Sequence, residues 1–257
     1  MLDTKSGEIV LPLTAYDFFD SWTNQALVNR AISISIGACM QAEGFAFSSA
    51  GVEDSPESNV GDRSYGLWDE DRVRLYGYGA APSAAAAALT ADQSAGGQGW
   101  EKAYQSCTAS LNPDVAGFIP TNEEQTESIV PRLKTDAYNS ASADPAWQKA
   151  REKWWGCLRD QGLTPRTGSG DWSSQQGADI LAAYGADGSS PDKENEIRVA
   201  FTEAQCNVKT RLAQTLGDLE ASYQQPLIEA NEAALSELKS QNQKRLAAAR
   251  EYIANHG

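Results

Sequence analysis

The chain has 257 residues, room for one large domain or two small ones, and its 41% hydrophobic residues, with seven Trp and nine Tyr, supply material for a core. A net charge of −14 argues against nucleic acid and anionic lipid, whose recognition needs clustered Lys and Arg; it speaks first to solubility at a cell surface and second to attraction of a cationic partner. The longest apolar run, Ala84–Leu89, falls far short of the roughly 20 residues that span a bilayer, so no transmembrane segment is expected.

Acidity is uneven along the chain: residues 1–125 carry 17 acidic and 6 basic groups, residues 126–257 carry 18 and 15. The opening Met1-Leu2-Asp3-Thr4-Lys5-Ser6 has no apolar stretch of the kind a secretory signal needs. The four cysteines, Cys39, Cys107, Cys157 and Cys206, are even in number, contain no Cys-x-x-Cys, and fit an oxidising compartment. The expectation is an exported protein, extracellular or at the cell surface, for which Met1 is an artificial start, with a signal or lipid anchor on a removed N-terminus.

An internal repeat organises the chain. Cys39-Met-Gln-Ala-Glu-Gly44-Phe45 and Cys157-Leu-Arg-Asp-Gln-Gly162-Leu163 share one pattern at the end of a helical stretch. Each is followed by a Tyr-Gly pair and a proline (Tyr76-Gly77 and Pro82; Tyr184-Gly185 and Pro191), then by a helical segment bearing the second cysteine. The glycines sit where a helix ends in a left-handed residue, which lets Phe45 or Leu163 fold back on the last turn. Four cysteines allow three connectivities; the repeat favours Cys39 with Cys107 and Cys157 with Cys206. The expected domains are therefore 1–120 and 121–257, parts of one compact, mainly α body: two disulfide-closed helical repeats with long loops and room for a short β-hairpin.

Residues 46–66, 80–99 and 164–190 read as loops rich in Gly, Ser, Ala and Asp, with the Ala84–Ala88 run a short helix or a linker. Thr121 and Glu124 have capping-box spacing, and Asp144-Pro145 reads as N-cap and first residue of a helix running through Trp147, Trp154 and Trp155 to Cys157. Ser190-Pro191 opens the last helix. There Ile197, Phe201, Ala204, Val208, Leu212, Leu216, Leu219, Tyr223, Leu227, Ala230, Ala234 and Leu238 recur in steps of three and four. Pro226 should kink or split this long C-terminal helix.

Catalytic signatures are missing. The one histidine, His256, leaves no triad or Cys/His zinc site, and no Gly-x-Ser-x-Gly, Walker A, dinucleotide or EF-hand pattern occurs. No catalytic residue, metal or cofactor is assigned. The segment most suggestive of recognition is Tyr65-Gly-Leu-Trp68 through Tyr76-Gly-Tyr78, with Asp69 and Asp71: flat aromatic faces and acids that could grip a cation. The competing reading makes these aromatics plugs between helices. Trp172 and Tyr184 with Asp171 and Asp187 form a poorer second version, and Trp154-Trp155 reads as core.

The stretches Leu11-Pro-Leu-Thr-Ala-Tyr16, Cys39-Met-Gln-Ala-Glu-Gly-Phe45, Arg63-Ser-Tyr-Gly-Leu67 and Tyr76-Gly-Tyr-Gly79 with Pro82 resemble exported lipoproteins and secreted proteins of actinobacteria that share a Cys-Met-x-x-x-Gly element. The resemblance spans about residues 10–210 and brings no catalytic site with it. Small lipoproteins of that class include self-resistance proteins that bind a lantibiotic peptide or shield its target; the likeness to them is one of class, export and helical build. The chain lacks the lipobox cysteine of such lipoproteins. The function expected is thus non-enzymatic binding of a cationic peptide or a cell-wall component. The alternatives are a carboxylate-dependent wall hydrolase and a structural or assembly protein acting through an apolar stripe around Leu227, Leu235 and Leu238.

Overall fold

The computed structural model describes every residue except Asp187. It is mainly α-helical, with one two-stranded antiparallel sheet, β1 (Leu2–Asp3) and β2 (Glu8–Ile9). The helices in chain order are α1 (Trp22–Ala42), α2 (Glu70–Tyr76), α3 (Ala84–Ala109), α4 (Pro113–Phe118), α5 (Asn122–Glu127), α6 (Ile129–Ala143), α7 (Pro145–Asp160), α8 (Gln175–Ala182), α9 (Lys193–Thr210), α10 (Leu212–Ala230) and α11 (Glu232–His256). No helix among the described residues is long and apolar enough to cross a membrane.

Both expected disulfides are present, Cys39–Cys107 and Cys157–Cys206. The repeat is real at the end of each first helix. Gly44 (φ +83°) and Gly162 (φ +77°) adopt the left-handed conformation that glycine tolerates best. The next residue turns back identically: Phe45 N donates to Met40 O, and Leu163 N to Leu158 O, both at 2.9 Å.

The chain packs into two compact units that interleave along the sequence instead of dividing at residue 120. The first comprises Met1–Pro12, Pro56–Ala81 and Leu133–Ala230; the second comprises Leu13–Ser55, Pro82–Arg132 and Asn231–Gly257. Each holds one disulfide. The folded charge is shared evenly, with 21 acidic and 14 basic residues in the first unit and 14 and 7 in the second.

In the first unit α7 and α9 are joined by Cys157–Cys206 and pack with α2, α8 and α10. Asp144 caps α7 through Ala146 N (2.7 Å), with Pro145 at the first helical position, as the sequence predicts. Trp147 and Trp154, 1% exposed, lie in a core with Tyr65, Leu158 and Leu216. The long C-terminal helix, expected to kink or split at Pro226, is three helices, and neither break falls at the proline. Its opening cap is Asp192, whose side chain accepts from Asn195 N, not Ser190. The chain breaks at Arg211, which takes φ +55°, and again at Asn231, while α10 runs on through Pro226. The break at Arg211 is held by Asn207, 2% exposed: its Oδ1 accepts Ala213 N at 2.9 Å, and its Nδ2 donates to Tyr65 O at 2.8 Å. A buried side chain here replaces the backbone bond that a continuous helix would make.

In the second unit α1 is joined to α3 by Cys39–Cys107 and packs along α11. One core patch gathers Phe18, Val28, Ala31, Val115, Phe118 and Tyr252; another gathers Ile36, Met40, Trp100 and Ala103. The 80–99 stretch read as loop is mostly helix. Ser83 caps α3 through Ala86 N, and Asp54 adds bonds to Ser83 Oγ and Ala85 N. Thr121 and Glu124 form the predicted capping box. Leu235 is fully buried, and Leu227 and Leu238 are half-buried, so the stripe proposed for assembly is largely covered.

Candidate functional site

The aromatic segment singled out in the sequence is not an open site. Tyr65, Trp68 and Tyr78 are 1%, 5% and 5% exposed. Tyr76 and Asp69 are half-buried, and only Asp71 is exposed. Asp69 is occupied as the N-cap of α2, accepting Arg72 N at 3.1 Å. Tyr65 stands edge-on to Trp147 and Trp172 and donates its hydroxyl to Glu220 at 2.6 Å; Trp68 donates Nε1 to Asp62 O at 2.8 Å. These side chains plug the core around Cys157–Cys206, within the unit of the second repeat. Both Tyr-Gly pairs fall in that unit too, so the repeat extends no further than the disulfide-bearing helices. Of the poorer second version, Trp172 is half-buried, Asp171 pairs with Arg166 (2.6 Å), and Asp187 lies outside the described residues.

The same unit buries acids that the periodicity of α9 conceals. Glu196 and Glu203, 0% and 1% exposed, share the inward face with Val199, Ala200 and Asn207. Glu196 Oε1 accepts Tyr78 N (2.9 Å) and Lys193 Nζ (2.8 Å). Glu203 accepts Ser174 N (2.6 Å), and beside it the Tyr78 hydroxyl lies against Gly177, which leaves no space there for a Cβ. Burial pushes Glu203 up to about 7 despite the bonds that favour its charged form. It also pushes Tyr78 well above the usual phenol range, with Glu203 adding to the effect, and Tyr184 up to about 12 with Glu196 as neighbour. This is a largely buried polar network.

An open groove of about 370 Å³ lies in the second unit. Its walls come from three distant stretches: Tyr16–Phe19, the Pro120–Ser128 segment that carries α5, and Leu238–Arg245 of α11. Asn242, 7% exposed, donates Nδ2 to Tyr16 O (3.1 Å) and fixes the first stretch against α11. Asp17 Oδ1 accepts Phe19 N at 3.0 Å, which turns the Phe18–Phe19 pair inward. Three carboxylates line the groove, those of Asp17, Glu124 and Glu127, against one guanidinium, Arg245. Glu124 is engaged by Arg245 (2.5 Å) and by Thr121 N (2.8 Å). Glu127 is exposed at the end of α5. The face of Tyr16 already holds an ammonium, with Lys239 Nζ 5.6 Å from the ring centre.

The groove thus brings aromatic side chains beside lining residues of net charge −2, with the Tyr16 face already taken by Lys239, a combination of the kind sought at Tyr65–Tyr78 and one that sequence reasoning did not join into a site. No protein-family model, no curated protein and no solved structure matches the chain.

Proposed function

We propose that this chain is an extracytoplasmic, non-enzymatic interaction protein that receives a cationic peptide in the Tyr16–Phe19/α5/α11 groove. The observation that carries this reading is the groove's lining: aromatic and proline surface with three carboxylates and one guanidinium. A basic peptide with apolar residues complements both properties, its ammonium groups facing Glu127 and Asp17 and its apolar side chains lying on Phe19 and Leu238. Two disulfides support an oxidising compartment, and the overall charge of −14 supports attraction of cations.

The test is calorimetric titration with a synthetic peptide alternating Lys and Phe. The double variant Glu127→Lys/Gln241→Lys changes two exposed side chains of the groove and turns its charge from −2 to +1. Binding is expected to weaken at least about tenfold in the variant and to weaken with added salt, as partly exposed charge pairs do. Equal binding to both proteins, or equal binding of a peptide alternating Glu and Phe, would refute the assignment.

A further inference from the structure

The second unit carries another groove, of about 500 Å³, within the size range of small-molecule sites. Its floor is apolar: Trp22, Ala26 and Leu27 from α1, Val52 from the following loop and Ile253 from α11. Four charged side chains also line it, and three of them are engaged within the unit. Arg30 pairs with Glu53. Asp54 is held by Ser83 Oγ (2.5 Å) and Ala85 N (3.1 Å) at the start of α3. The fourth is a cation, Arg250, which is exposed and has no ion pair among the described residues. Its neighbours one turn away along α11 are Leu246 and Ala254, so no acid on its own helix answers it.

We infer that this groove binds a free small amphiphile with a single anionic group, the apolar body lying on Trp22, Leu27 and Ile253 and the anion on Arg250. A guanidinium offers a carboxylate two parallel donors. The chemistry is opposite to that of the acidic groove, and the two sites share no lining residue.

The probes are dodecanoate and dodecylamine, matched in chain and opposite in charge, titrated below their micelle concentrations. The wild type should bind dodecanoate at least about tenfold more tightly than dodecylamine, and Arg250→Glu, at an exposed position, should reverse the order. Ala26→Trp, which fills the floor, should abolish both while the far-UV spectrum and both disulfides are retained. Glu127→Lys/Gln241→Lys should leave dodecanoate binding unchanged, which separates this claim from the cationic-peptide reading. Failure of the wild type to bind dodecanoate, or a preference that Arg250→Glu does not alter, would overturn the inference.

Discussion

Replacing Glu203 by glutamine should make the protein more stable at alkaline pH, although it removes a charge. Glu203 is 1% exposed, its Oε1 accepts Ser174 N at 2.6 Å, and Tyr78 is its nearest titratable neighbour. Burial raises its carboxyl from an ordinary value near 4.5 to about 7. Between these values the folded chain holds a proton that the unfolded chain has released. Stability from this group is therefore complete below pH 4.5, falls as pH rises to about 7, and is constant above. The full loss corresponds to about 3 kcal/mol, of which about 2 kcal/mol falls between pH 5.5 and 8.5. Glutamine keeps the acceptor for Ser174 and has no proton to lose. Urea unfolding followed by Trp fluorescence at those two pH values should show the wild type losing about 2 kcal/mol more than Glu203→Gln. Glu220, also raised by burial, contributes to both proteins and cancels in the comparison. Parallel pH profiles, or a variant less stable than the wild type at pH 8.5, would refute the reasoning.

Two further changes probe the first unit. Tyr65→Phe removes the 2.6 Å bond to Glu220, a carboxylate only 5% exposed, and should cost about 2 kcal/mol in urea unfolding with little change in the far-UV spectrum. Cys157→Ser/Cys206→Ser opens a bridge of sequence separation 49 and should cost about 4 kcal/mol by the loop-closure relation. Because that bridge lies wholly in the first unit, hydrogen exchange should rise in α7 and α9 and stay unchanged around Trp100.

Local signals in the sequence proved readable. The pairing of cysteines, the left-handed glycines Gly44 and Gly162, the Asp144-Pro145 start and the Thr121–Glu124 capping box each depend on residues a few positions apart, or on a repeat of such residues. What was hidden depends on distant partners. The spacing of apolar residues runs through Val208, Leu212 and Leu216 without interruption, yet Val208 is 48% exposed, and Asn207 turns the chain there by bonding to Ala213 and Tyr65. The inward face of α9 includes Glu196 and Glu203, which a reading of apolar periodicity assigns to solvent. The Tyr65–Tyr78 segment has the composition of a binding loop and the position of a core plug, because its partners Trp147, Trp172 and Glu220 lie much further along the chain. The acidic groove escaped notice for the same reason: its aromatics, its acids and its α11 wall are far apart in sequence.

The central claim is that recognition belongs to the Tyr16–Phe19/α5/α11 groove and not to the aromatic segment of the first unit. Hydrogen exchange of the whole protein with and without the Lys/Phe peptide tests it most directly. Protection is expected at Phe18–Phe19, along Asn122–Glu127 and in the backbone near Asn242, with none at Tyr65–Tyr78. Protection confined to Tyr65–Tyr78, or none at the groove at saturating peptide, would contradict the account.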